Sequence, residues 1–231
     1  MCSIILRTGS DGVLIGANRD EILARSWEGP AEYWPGIIGG RDLLGGGTWM
    51  AINRHGVLAA VLNRHGSLGP APGKRSRGEL PLLALRETSA KAAAERLRDL
   101  DAGAYRSFNL VLADPGGAFL LRGLEHGTPD VQALASGTVM LTSGEPNDMS
   151  LPRIARHLPK FTTADFSDWG ALLADRSPPW GSSLNIPERD GFGTACSSLL
   201  HLSPTAAPQW WFAAGAPHAA AFETVPLWSA E

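Results

Sequence analysis

The chain has 231 residues, 44% of them hydrophobic, with 20 Lys and Arg against 23 Asp and Glu. That length supports one domain with a sizeable core, and the near balance of charge argues against nucleic acid as a partner. No apolar run approaches membrane-spanning length and no signal-like leader opens the chain, while two distant cysteines, Cys2 and Cys196, in no metal-ligand spacing point to a reduced, cytoplasmic protein without a metal site.

The chain begins with two predicted strands, residues 2–7 and 13–18, joined by the turn Gly9-Ser10-Asp11-Gly12. The hairpin ends in the charged tetrad Asn18-Arg19-Asp20-Glu21. Residues 22–35, with Trp27, Tyr33, Trp34 and two prolines, read as an aromatic loop that either lines a pocket or covers the end of a sheet. Next comes a Gly-rich stretch, from Gly39-Gly40-Arg41-Asp42 to Gly45-Gly46-Gly47-Thr48-Trp49. Its N–H groups could cradle an anion, or its glycines could serve only a tight turn that needs positive φ. It is not a P-loop, because no Gly-Lys-Ser/Thr follows.

Residues 48–53 and 57–63 read as strands across Arg54-His55-Gly56, the second buried on both faces. A polar cluster, Asn63-Arg64-His65-Gly66, and a Pro/Gly/Arg-rich loop over 67–78 follow. Helices are expected over 79–86 and 89–100, the latter capped by Thr88 or Ser89 and stopped by Gly103. A hairpin over 107–114 and 117–123, a strand over 138–143 and helices over 150–157 and 163–174 come next, the last with Phe166, Trp169 and Leu173 as its core stripe. After a loop over 176–192, strands over 193–202, 209–213 and 221–225 end the chain. This order lacks the β–α alternation of a parallel sheet and suits an α+β sandwich of antiparallel sheets with helices outside.

The chemistry suggested by the residues centres on Cys2. With Met1 removed, Cys2 carries a thiol and a free α-amine, and an amine with a pKa near 8 can take the thiol proton near neutral pH. The plain alternative is a small apolar residue in a buried strand.

Met-Cys at the start, Gly16-Ala17-Asn18-Arg19-Asp20-Glu21, Gly39-Gly40-Arg41-Asp42, Gly47-Thr48-Trp49, Ser107-Phe108-Asn109-Leu110 and Gly193-Thr194 with Ser197-Ser198 together resemble the NRDE family. That family takes its name from the tetrad and includes the eukaryotic transport-and-Golgi-organisation proteins. The resemblance covers nearly the whole chain and implies a single domain over 1–231. The family itself resembles N-terminal nucleophile hydrolases of the choloylglycine hydrolase and penicillin acylase type, which implies a four-layer αββα sandwich. By this resemblance Cys2 is the nucleophile of an amide or thioester hydrolase, Asn18 and Asp20 are catalytic, and Asn63 holds the oxyanion. Arg19, Arg41, Asp42, Trp49 and Ser143 are the expected substrate-binding residues, and no cofactor is required.

Three departures stand out. Ala17 occupies the place of an Arg in the hydrolases' Gly-Arg-Asn-x-Asp, with Arg19 two positions later. Ser143 stands near a later oxyanion Asn, and Ala195 stands where the NRDE family often has an Arg. Side-chain alternation puts Asn18 and Asp20 on one face and Arg19 on the other. Family roles in haem trafficking and lipid metabolism imply the alternative of a non-catalytic protein binding haem or acyl-coenzyme A. Arg19, Arg41 and the Gly-rich loop would then meet carboxylates or phosphates, and His65 is the first axial ligand to try.

Overall fold

The computed structural model describes residues 2–228. The first two strands, β1 (Ser3–Gly9) and β2 (Gly12–Ile22), form the expected hairpin. β2 runs further than expected, so the tetrad lies inside the strand rather than at its end. The aromatic loop is in fact a strand, β3 (Trp27–Trp34), paired with β4 (Ile37–Asp42). Its register slips between Glu28 and Ala31, around Pro30, and again before Trp34. A proline cannot donate to the ladder, which keeps such a strand at a sheet edge and blurs its period.

Further along come β5 (Met50–Asn53), β6 (Leu58–Asn63), α1 (Glu79–Ala84) and α2 (Ala90–Arg96). Ser89 caps α2 by accepting the Ala92 N–H. Gly103 does not stop that helix; it lies in a separate 3-10 turn. β7 (Phe108–Asp114) and β8 (Gly117–Gly123) form the second expected hairpin. β9 (Asp130–Ala133), a short and largely exposed edge strand, was not expected. After β10 (Gly137–Leu141), α3 (Pro152–Thr163) runs past its expected end, and the next expected helix shrinks to a 3-10 turn and α4 (Trp169–Leu173). β11 (Phe192–Leu202), β12 (Gln209–Ala213) and β13 (Glu223–Thr224) complete the strands.

The strands form two antiparallel sheets, ordered β10-β1-β2-β11-β12-β13 and β3-β4-β5-β6-β7-β8-β9. Alternation decides which side of each strand is buried where. Ile4, Leu6, Val13, Ile15 and Ala17 of the first sheet face Ile38, Met50, Ile52, Ala60 and Leu62 of the second. Each fully buried aliphatic side chain contributes roughly 1.5–3 kcal/mol, so this inter-sheet layer is a large source of stability. On the outer face of the first sheet, Ile5 and Met140 pack under Ile154 and Phe161 of α3 and Trp169 and Leu173 of α4. On the second, Ala51, Ala59, Leu110 and Leu112 pack under α1 and α2. The result is an α+β sandwich with helices on both outer faces. Among the described residues no helix is long and apolar enough to cross a membrane.

Candidate active site

Cys2 sits just ahead of β1 at one end of the inter-sheet layer. It is half-buried, and its Sγ lies 3.9 Å from the main-chain oxygen of Asp20. Ser3 pairs with Asn18, so continuing the ladder by one residue sets Cys2 beside Arg19. Both project between the sheets with Ala17, whereas Ser3, Asn18 and Asp20 project toward α3 and α4. A narrow cleft lies here, with only about 20 Å³ of enclosed space within an outline of about 350 Å³ that includes open solvent; Cys2, Arg19, Trp49, Met50, Leu62 and Cys196 are among the residues lining it.

Arg19 is held from two sides. Its guanidinium lies over the Trp49 ring, 4.5 Å from the centroid. Its Nη2 approaches Asp42 Oδ2 at 3.3 Å and Glu21 Oε2 at 3.6 Å. Trp49 is braced edge-on by Trp27 at 5.7 Å, and Trp27 in turn by Phe212 at 5.9 Å. Glycine at position 40 is what lets the indole lie there, since a Cβ at that point would overlap the Trp49 ring. Arg19 also pairs across the ladder with Cys196. Cys2 and Cys196 therefore flank β2 two strand spacings apart, about 9.6 Å, beyond the roughly 7 Å that a disulfide tolerates; both are free.

Asp20 is buried on the other face of β2. Thr194 Oγ1 donates to its Oδ1 at 2.7 Å, and Arg153 Nη1 to its Oδ2 at 3.1 Å. Arg153 also donates to Ser3 Oγ at 3.1 Å, tying α3 to the first residue of β1. Burial pushes the Asp20 carboxyl up from its ordinary value, against the opposing pull of Arg153 and Thr194. Burial likewise pushes the Cys2 thiol up, with the Asp20 charge adding to the rise and Arg19 opposing it.

The Gly-rich stretch turns out to be the end of β4 plus a loop closed on its own side chain. Asp42 Oδ1 accepts the N–H groups of Leu44 at 3.1 Å and Gly45 at 2.7 Å, and Arg25 binds both carboxylate oxygens at 2.6 and 3.1 Å. The anion in this cradle is thus the protein's own. Gly47, with φ +106°, closes the loop against Gly78, where a side chain would be both strained and obstructed. Although burial alone would raise Asp42, the Arg25 and Gly45 hydrogen bonds outweigh it and hold the carboxyl below its ordinary value.

The structure brings Cys2, Arg19, Trp49 and, through Arg19, Asp42 together. Asn18 is nearby but committed: both its amide protons go to main-chain oxygens, of Leu173 at 2.9 Å and Leu184 at 3.0 Å, while its Oδ1 accepts from Ser197. Asn63 ends β6 next to cleft-lining Leu62 but does not itself line the cleft, and its amide makes no hydrogen bond among the described residues. Arg41 is elsewhere, paired with Glu28 at 2.7 Å and lying over Tyr33. Ser143 is buried two residues past β10; its main-chain oxygen accepts the N–H of His65, an exposed loop residue. Met1 lies outside the described residues.

Sequence reasoning missed Arg153, which sits in an ordinary amphipathic helix with no motif around it. It also gave no role to Thr194, although Gly193-Thr194 was the available signal. Ala195 falls where the β2–β11 register shifts between Thr194 and Cys196.

Solved structures similar to this one include N-terminal nucleophile hydrolases. The N-acylethanolamine-hydrolyzing acid amidase ortholog of Caenorhabditis elegans superposes with a TM-score of 0.62 at 12% identity, covering 98% of this chain and 100% of that one. Penicillin V acylase from Agrobacterium tumefaciens gives 0.58 at 12%, covering 93% and 83%. The C2A mutant of conjugated bile acid hydrolase from Clostridium perfringens gives 0.59 at 12%, covering 98% and 97%. The fold is therefore that of the N-terminal nucleophile hydrolases. The family model for Transport and Golgi organisation 2 matches residues 1–168, and the chain belongs to that family. A curated relative, the Transport and Golgi organization protein 2 homolog of Bos taurus, is 33% identical over 110 residues. That match spans 44% of this chain and 38% of the relative's length.

Proposed function

We propose that the protein is a cysteine hydrolase of a small amide or thioester, with Cys2 as its nucleophile once Met1 is removed. The observation that carries this reading is the position of Cys2: at the head of β1, at a cleft between the sheets, with its sulfur 3.9 Å from the main-chain oxygen of Asp20. The names of the similar structures, an acid amidase, a penicillin acylase and a bile acid hydrolase, support the same chemistry. In the reaction the Cys2 sulfur attacks the carbonyl carbon and its own α-amine takes the thiol proton. Asp20, fixed by Arg153 and Thr194, orients the resulting ammonium. The amine then returns the proton to the leaving nitrogen or sulfur, and water releases the acyl group from the thioester. Asn18 has no N–H left for an oxyanion, so the donor of this reading is Asn63; losing such a donor costs about 3 kcal/mol of transition-state stabilisation.

The test is intact mass of protein from its native host, followed by a panel of amides and thioesters. Loss of Met1, with turnover that Cys2→Ala abolishes, is expected. Retention of Met1 overturns the reading. Binding without turnover is the second reading, favoured by the burial that keeps the Cys2 sulfur protonated near neutral pH. Titration with haem and with acyl-coenzyme A tests it, and a Kd above about 100 μM for both, weaker than roughly −5.5 kcal/mol, rejects it.

A further inference from the structure

The Arg19 side chain is only 5% exposed, yet its Nη1 has no hydrogen-bond partner among the described residues. Leaving a buried charged donor unmatched is costly, and such a group calls for an explanation, of which a bound anion is one. Nη2 is occupied by Asp42 and Glu21 from behind, and the Trp49 ring below prevents the guanidinium from swinging away. Arg19 and Arg25 share the Asp42 and Glu21 carboxylates, so the cluster balances in charge and what stays unmet is the hydrogen bond of Nη1. Arg19 is also the one charged residue among those lining the cleft, whose walls are otherwise apolar or small and neutral. A charged head with an apolar remainder is what such a surface recognises.

We infer that the cleft beside Cys2 is a carboxylate site, with Arg19 Nη1 binding the anionic group and Ile4, Met50, Ala60 and Leu62 packing a short hydrocarbon portion. As a statement of substrate class, an amide or thioester that carries a carboxylate near the scissile bond, this rests on the hydrolase reading. As an anion site it does not. The position of Arg19 explains how the cleft keeps a guanidinium despite Ala17: a shift of two residues along a strand keeps the same face.

The test is alkylation of Cys2, which needs neither turnover nor Met1 removal. Iodoacetate and iodoacetamide are nearly isosteric; with each, the sulfur displaces iodide. Glutathione reacts faster with the neutral amide. The ratio of the two rates cancels the intrinsic reactivity of the thiol and reports only on recognition of the charge. With Cys2 followed by peptide mapping, the iodoacetate-to-iodoacetamide ratio is expected to exceed that of glutathione about tenfold, equivalent to about 1.4 kcal/mol. Arg19→Gln should return it to the glutathione value. Because that variant removes a buried ion pair and is liable to misfold, the unaltered protein supplies a second measurement: butyrate should slow iodoacetamide labelling of Cys2, and butyramide should not. A ratio equal to that of glutathione, or equal protection by both compounds, overturns the carboxylate site. A clear carboxylate preference in a protein that keeps Met1 would leave the site standing and remove the hydrolase.

Discussion

Replacing Gly40 with Ala tests whether Trp49 and Arg19 form one packed unit. The glycine has no unusual φ, so its role is space: an added Cβ would overlap the Trp49 ring, with the nearest ring atoms far inside van der Waals contact. The indole must therefore leave its place under the Arg19 guanidinium. Overpacking of this kind costs about 1–3 kcal/mol, and a partly desolvated cation–π contact adds about 1 kcal/mol. Gly40→Ala should destabilise the protein by about 2–4 kcal/mol in urea unfolding followed by far-ultraviolet circular dichroism, with unchanged m. The same change made in Trp49→Ala should be nearly neutral, because the obstructing ring is gone. The double-mutant cycle should then show a coupling of about 2 kcal/mol or more. A coupling below about 0.5 kcal/mol would refute the claim that Gly40 exists to seat Trp49.

Arg153→Met removes one buried partner of Asp20 and should cost about 3–5 kcal/mol at pH 7. Burial already raises the Asp20 carboxyl; without Arg153 the folded-state pKa rises further above the unfolded one. A raised carboxyl penalises the fold above its unfolded pKa, so the deficit relative to wild type should shrink as pH falls from 7 toward 4, and a deficit that stays constant counts against the placement of Arg153. The Asp42→Asn deficit should also shrink on acidification, but in a lower pH window. Its carboxyl is held low, so its contribution, about 1–3 kcal/mol at pH 7, is complete above the ordinary carboxylate value and is lost as pH falls through the depressed folded-state pKa. Urea midpoints of variant and wild type should converge below pH 4.

Much of the architecture was written locally. The alternation of Ile4, Leu6, Val13 and Ile15, the glycines of the first turn and the Ser89 cap act over a few residues, so the sequence by itself determined the hairpins, the antiparallel sheets and the outer helices. Where local signals conflicted, it failed. Pro30 masked β3, and the short, exposed β9 carries too little pattern to stand out. The same alternation placed Asn18 and Asp20 opposite Arg19, but it could not say which face of β2 met the other sheet.

Tertiary structure alone decided that. Docking of the second sheet put Trp49 beneath Arg19 and Asp42 behind it, and docking of α3 put Arg153 on Asp20, across 133 residues of chain. Buried charges must find partners wherever the fold brings them, and no spacing in the chain records which distant guanidinium will arrive. For the same physical reason the open nitrogen of Arg19 was invisible in the sequence: an unmet hydrogen bond becomes apparent only when every neighbour is in place.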